Sequence, residues 1–467
     1  MTTRRGLPIL MTAVGVAAVA IAAISYFLPD PEPRPRPRGT IEDVLAFRER
    51  ADFNVLFILV DTLRSDRLSA YGYERRTSPN LDALAETGVR FAHHVSQSSW
   101  TKCSMASLWT GLYPVRTRVL RSEQVVASEA RMPAEIFQEQ AFRTAGIWRN
   151  GWIAPNFGFA QGFEIYQRPR PAPLPGGVRR EHLSLRLEGS DADILRSAFA
   201  FLRAHGHERW FLYLHLMDVH QYVSSEETAV FGTTYSDIYD NSILWVDSLI
   251  GELIEQVELR GLRERTLIVF TSDHGEAFGE HGGEGHAHNV YGEVTETPFI
   301  LSFPFRLEPG IVVEARSENV DLWPTVLELA GLPPLVDPDG RSLVPEIVAA
   351  DQGEVSPGDE GLAFAQLDQT WGRGQVKPQP LVAVNRGKWR LIYPAAQPKQ
   401  VELFDKEADP AEQRNLADEH TEVVADLTAV ANSYFESRPP PWGTDAPTVE
   451  IDEMEMDQLR ALGYGVQ

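Results

Sequence analysis

Asn54-Val55-Leu56-Phe57-Ile58-Leu59-Val60 is a nearly unbroken apolar run that ends on Asp61. A strand buried on both faces reads this way, because a parallel sheet covered by helices leaves neither face to water. Two more stretches repeat the pattern. Trp210 to Leu216 leads to Asp218 and His220, and Thr266 to Phe270 leads to Ser272-Asp273-His274-Gly275. Thr297 to Leu301 reads as a fourth strand and Gly146 to Trp148 as a short one. Helical stretches lie between them: Asp82 to Glu86, Ala134 to Ala145, Ala192 to His205 and Tyr239 to Leu259. Strand and helix alternate, which predicts an α/β fold with a largely parallel central sheet flanked by helices. Residues 168–185, rich in Pro, Arg and Gly, read as a loop.

The texture changes after about residue 310. Asp321 to Gly331 is a helix with a glycine stop. Leu381 to Tyr393 and Val401 to Phe404 alternate like an antiparallel hairpin, and Thr421 to Glu436 is a last helix. The chain therefore divides into a first domain at 52–310, a smaller α+β lobe at 311–437, and a Pro-rich acidic tail at 438–467 with a short helix before Tyr464. At the other end, residues 1–6 are basic and residues 7–28 carry no charge, long enough for a membrane anchor or signal segment. The weight falls on an uncleaved anchor, with the rest of the chain outside the cytoplasm. Residues 29–51 begin as a stiff Pro/Arg linker. The 43 basic against 66 acidic side chains give −23, which argues against nucleic acid as a partner. One cysteine, Cys103, excludes an internal disulfide and a Cys-rich zinc site.

Ser98-Ser99-Trp100-Thr101-Lys102-Cys103-Ser104 leads into a short helix closed by Gly111 and Pro114. Thr101 falls in its first turn, where free N–H groups and the helix dipole favour an anion. A threonine there is ordinarily a cap. The strand ends change its weight, because in open parallel sheets ligands gather beyond the carboxyl ends of the strands. Asp61, the Asp218/His220 pair and the Asp273-His274 pair all lie there. Two carboxylates, an imidazole and a hydroxyl make a divalent-metal shell. His281, His286 and His288 follow in a Gly-rich loop, as substrate contacts or a general acid.

These segments resemble the sulfatase family of the alkaline-phosphatase superfamily. The matching residues run Val60-Asp61-Thr62-Leu63-Arg64-Ser65-Asp66, Ser78-Pro79-Asn80-Leu81-Asp82, Ala106 to Pro114, His215 to His220, Thr271 to Glu276 and Glu280-His281-Gly282. In the small lobe they continue with Asp339-Gly340-Arg341-Ser342-Leu343, Glu402 to Asp405, Asp409-Pro410 and Asn415-Leu416. The resemblance implies an alkaline-phosphatase-like fold and an enzyme cleaving phosphoric or sulfuric esters. It also implies Asp61, Asp273 and His274 as ligands of one divalent metal, with the oxygen of Thr101 as another. His220 then resembles the substrate-binding histidine, and His286 a leaving-group contact.

The departures from the family pattern carry information too. Thr62 stands where sulfatases usually have a second acid, and His274 where they often have Asn. Both point from calcium toward manganese or zinc. Sulfatases carry C-x-P-S-R, with the Cys oxidised to formylglycine. Counted back from Thr110-Gly111, that position is Thr101, with Cys103 at the Pro and Met105 at the Arg. Thr at this position resembles the phosphoethanolamine and phosphoglycerol transferases of the family. Lys102 is a candidate replacement for the missing Arg, and His281 a candidate substrate contact. The leading expectation is therefore cleavage or transfer of a small-molecule, lipid or glycan phosphate ester through Thr101. Sulfate-ester hydrolysis is the second expectation, and binding of an anionic ligand without turnover the third.

Overall fold

A computed structural model describes residues 36–181, 188–354, 361–373, 376–443, 445–451 and 459. The expected membrane segment, 7–28, lies outside the described residues, as does nearly all of the helix expected before Tyr464. Among the described residues no helix is long and apolar enough to cross a membrane.

Eight strands form the main sheet, in the order Ile311–Val313, Val89–Phe91, Phe299–Ser302, Thr266–Thr271, Asn54–Val60, Trp210–Leu216, Arg143–Trp148, Ile165–Gln167. All neighbours run parallel except Phe299–Ser302, which is antiparallel to both of its partners. Side chains alternate across the central strands. Val55, Phe57 and Leu59 enter one core, and Leu56, Ile58 and Val60 enter the other. Each fully buried aliphatic side chain contributes about 1.5–3 kcal/mol. With both faces apolar, the pattern alone would permit a register slip. Asn54 opposes it: its Oδ1 accepts from the Trp210 backbone N at 3.1 Å, and its Nδ2 donates to Thr266 Oγ1 at 3.4 Å.

Helices Pro79–Glu86, Asp191–His205 and Tyr235–Leu259 cover one face. Helices Thr101–Thr110, Pro133–Glu139 and Asn319–Leu329 cover the other. The helix expected to reach Ala145 stops at Glu139, and the strand begins at Arg143. Pairing with Trp210–Leu216 starts at Arg143 and outweighs local helix propensity. Within the expected loop at 168–185, Val178–Arg180 forms an antiparallel ribbon with Val223–Ser225.

The elements just past residue 310 adjoin the main layer. Ile311–Val313 is the edge strand of the large sheet, and Asn319–Leu329 packs on the Thr101 helix. The smaller C-terminal sheet is antiparallel, in the order Ala363–Asp368, Pro380–Arg386, Trp389–Pro394, Glu402–Asp405. One of its faces carries Ala363, Ala365, Leu367, Ala383 and Ile392 into the core that holds the Thr101 helix. Its other face packs on helix Thr421–Phe435 through Val382, Val384, Leu391 and Leu427.

Candidate active site

The carboxyl ends of three neighbouring central strands meet the start of the Thr101 helix. Thr101 is the first helical residue, after Trp100 in extended conformation. The helix stops at Gly111, whose φ of 69° is the left-handed value that glycine adopts without Cβ strain. Thr101 Oγ1 lies 3.1 Å from His274 Nε2. His274 Nδ1 donates to the Gly275 carbonyl at 3.0 Å. In the neutral ring that bond puts the proton on Nδ1 and a lone pair on Nε2, facing the threonine hydroxyl. Burial lowers the proton affinity of His274, but the carboxylates of Asp273 and Asp61 outweigh it and raise the imidazole above its ordinary value.

Asp61 follows the first central strand and is fully buried. Its Oδ2 accepts from His215 Nε2 at 2.9 Å and from Asn150 Nδ2 at 2.6 Å. Asn150 Nδ2 also lies 3.3 Å from Thr101 Oγ1. Asp273 Oδ1 accepts from the backbone N–H groups of Thr62 at 3.3 Å and His274 at 3.0 Å. Its Oδ2 is 3.4 Å from His274 Nε2. Asp61 Oδ1 and Asp273 Oδ2 are buried and accept no hydrogen bond. One oxygen from each carboxylate and one ring nitrogen of His215 lie within 4.8 Å of one another. Two buried carboxylates with bare oxygens are costly in each other's presence. Burial and the charge of Asp61 push Asp273 up to about 6. Burial would raise Asp61 as well, but the His215 hydrogen bond and the imidazoles of His220, His215 and His274 hold it below the usual carboxylate range. This donor set fits a divalent cation. Thr62, at the position of the family's second acid, adopts φ 63° and donates its hydroxyl to the Asp61 carbonyl at 2.7 Å.

A second histidine layer adjoins the first. The His286 ring is centred 4.5 Å from His274 and 5.0 Å from His220. His286 Nδ1 is 3.0 Å from Glu276 Oε1. Burial lowers His220 to about 4. Burial and nearby His274 hold His286 well below the ordinary imidazole value. Burial raises Glu276 to about 7.

The structure thus brings Asp61, Thr101, Asp273, His274, His220 and His286 together. It does not bring Lys102, His281 or Asp218 to the cluster. Lys102 Nζ donates to the Ser122 carbonyl at 2.7 Å and sits 3.7 Å above the Phe157 ring. Burial pushes it well below its ordinary value, and its partners hold Nζ away from the cluster. His281 is stacked on Tyr291 at 3.7 Å, with Nδ1 2.7 Å from Glu293 and Nε2 2.9 Å from the Glu412 carbonyl. Both of its nitrogens are thereby engaged. Asp218 pairs with Arg149 at 2.7 Å and accepts from Trp245 Nε1 at 2.9 Å and the Asp191 backbone N at 2.8 Å. It ties down the loop leading to His220 and leaves no oxygen for the metal shell. Cys103 is buried among apolar side chains, and burial pushes its thiol up to about 12.

His215, Asn150 and Glu276 were passed over in the sequence. His215 was the most legible: it is a lone imidazole in an apolar strand, in register with Leu59, two residues before Asp61. Asn150 falls two residues past its strand, where the strand-end rule already points.

Carboxylates, imidazoles and a hydroxyl thus converge where strands end and a helix begins. The family model "Sulfatase" matches residues 53–332, and "N-sulphoglucosamine sulphohydrolase, C-terminal" matches 279–434. The chain belongs to the sulfatase family. It is 24% identical to N-acetylgalactosamine-6-O-sulfatase of Bacteroides thetaiotaomicron, over 81% of this chain and 92% of that one. It is also 24% identical to choline-sulfatase of Rhizobium meliloti, over 86% and 89%. Among solved structures, phosphonate monoester hydrolase of Agrobacterium radiobacter superposes with a TM-score of 0.65 at 20% identity, over 82% of this chain and 95% of that one.

Proposed function

We propose that the chain cleaves or transfers a phosphate ester with the unmodified hydroxyl of Thr101 as nucleophile. The observation that carries this reading is the Thr101–His274 contact at 3.1 Å, with the His274 lone pair facing the hydroxyl. Thr101 Oγ forms the new bond to phosphorus as the bond to the leaving oxygen breaks, and the hydroxyl proton is accepted at His274 Nε2. Asn150 Nδ2 takes a lone pair of Oγ1 and so turns its proton toward His274. His286 and His220 face the leaving group. Burial weakens the affinity of both for a proton, and a dianionic ester placed against them would restore it. Asp61 and Asp273 would hold the divalent cation, with His215 as a further candidate. His274, which the family resemblance implies as a ligand, has its Nδ1 proton held by the Gly275 carbonyl and its one lone pair, on Nε2, given to the Thr101 proton. The bound ion, manganese or zinc by preference, would supply Lewis-acid stabilisation of the developing charge. Water or an acceptor hydroxyl then attacks the phosphothreonine and releases Thr101. A threonine cannot take the aldehyde route of formylglycine, and Cys103 is sealed in the core with a suppressed thiol. Sulfate-ester hydrolysis is the second reading, and the sulfatases among the relatives favour it.

The test is turnover of aryl phosphate, phosphodiester, phosphonate and sulfate esters with added Mn²⁺, Zn²⁺ or Ca²⁺. Phosphorus esters are expected to turn over fastest. Thr101→Ala should abolish turnover, and Cys103→Ser should retain it. Activity that survives Thr101→Ala and dies with Cys103→Ser would reverse the assignment. The same reading puts the catalytic part outside the cytoplasm, on the uncharged stretch 7–28.

A further inference from the structure

Three tryptophans from three segments meet beside the site. Trp371 stacks on Trp100, with centroids 4.4 Å apart and planes at 20°. Trp152 stands edge-on to both, at 5.3 Å and 5.7 Å. Two of them are covalently close to site residues. Trp100 precedes Thr101, and the backbone N of Trp152 donates to Asn150 Oδ1 at 2.8 Å. Trp371 comes from the C-terminal lobe, three residues past strand Ala363–Asp368. Its indole Nε1 donates to the Ala287 carbonyl at 3.1 Å.

Ala287 follows His286. It is buried and holds φ 62°, a left-handed conformation that a residue with a Cβ adopts only when its surroundings impose it. The surroundings here are specific. The Ala287 backbone N donates to the Ser99 carbonyl at 2.9 Å, and Ser99 Oγ donates to the Asn289 carbonyl at 2.5 Å. The segment before Thr101 thus grips the His286 loop from one side, and the Trp371 indole from the other. Trp371 is itself fixed, because its carbonyl accepts from the Ser122 backbone N at 3.0 Å and its N–H donates to the Asp368 carbonyl at 3.0 Å.

We propose that Trp371 is a positioning residue: the C-terminal lobe uses its indole to lock the strained Ala287 turn and so to aim His286 at the leaving group. This rests on the leaving-group role proposed for His286. The stacking and the hydrogen bond separate cleanly in Trp371→Phe, which keeps an aromatic ring against Trp100 and loses the donor to Ala287.

Two measurements test it. Amide exchange of the Ala287 N–H should quicken by about fivefold to tenfold in Trp371→Phe, the weight of one lost hydrogen bond, with the Thr101–Thr110 helix unchanged. Unaltered exchange at Ala287 overturns the lock. Turnover of phenyl against 4-nitrophenyl esters, phosphate or sulfate, should then fall about tenfold or more for phenyl and within about twofold for 4-nitrophenyl, since a misplaced proton donor matters most for a poor leaving group. A uniform loss on both esters would mean a structural role only and would overturn the positioning. His286→Ala serves as the reference. If it loses phenyl turnover selectively and Trp371→Phe does not, the inference about Trp371 fails alone. If His286→Ala itself responds equally to both esters, the leaving-group role fails first.

Discussion

Asp61 and Asp273 show how one position decides whether the site is stable without a cation. Each buries an oxygen with no hydrogen bond, and burial with Asp61 raises the Asp273 carboxyl to about 6. On the proposed metal role, a divalent cation held there would offset the cost of burying the two carboxylates side by side. A ligand at a hundredfold excess over its Kd stabilises the native state by about 2.7 kcal/mol. Thermal unfolding with and without Mn²⁺, Zn²⁺ or Ca²⁺ should show such a gain for the parent. Asp273→Asn should melt no lower than the metal-free parent and gain almost nothing from the ion. An equal gain in both proteins would remove Asp273 from the shell. That Asp61, Thr101, Asp273 and His274 come together was legible from their places at the strand ends and the helix start. The place of Lys102 was not, since being next to Thr101 in sequence says nothing about which rings enclose its ammonium.

Loops decide which histidines reach the site. His281 and His286 are five residues apart in one loop, yet His286 sits between His220 and His274 while His281 pins the loop to the C-terminal lobe. Burial works against the His281 charge, but the Glu293 carboxylate and the Glu412 carbonyl overcome it and raise the imidazole to about 9 from the ordinary 6.5. A folded-state pKa above the unfolded one stabilises fully below about pH 6.5 and loses that contribution as pH rises through about 9. The melting temperature of the parent should therefore exceed that of His281→Phe most in mild acid. The gap should narrow steadily across this window, with the Phe variant keeping the stack on Tyr291. A gap that widens toward alkaline pH would contradict the assignment. The sequence marked this loop as a histidine cluster and expected both His286 and His281 at the substrate; of the two, the structure brings only His286 to the site.

The two sheets share one core. Ala363, Ala365 and Leu367 of the small sheet lie in the same apolar cluster as Met105, Leu108 and Trp109 of the Thr101 helix and Trp323 of Asn319–Leu329. A cluster this continuous gives no plane along which one part can melt alone. Calorimetry should accordingly record a single cooperative transition, with loss of the C-terminal sheet and loss of the active site coinciding. Two resolved transitions, with site chemistry surviving the first, would show the lobe to be independent. Just past the change of texture near residue 310, Ile311–Val313 still pairs at the edge of the large sheet.

The sequence by itself determined the α/β class, the central strands and the family. Buried parallel strands are apolar throughout, and the residues beyond their ends are polar for a reason that local pattern exposes. Through the count from Thr110-Gly111 the sequence also supplied the alignment on which the proposal of Thr101 as nucleophile rests. Only the tertiary structure decided that His215, Asn150 and Glu276 join the site, and that Lys102, His281 and Asp218 serve packing. Those outcomes depend on contacts between segments many residues apart: His215 with Asp61, Asn150 with Thr101, Arg149 with Asp218. A side chain's partner across a fold is set by where strands pair and helices pack, and no local pattern encodes it.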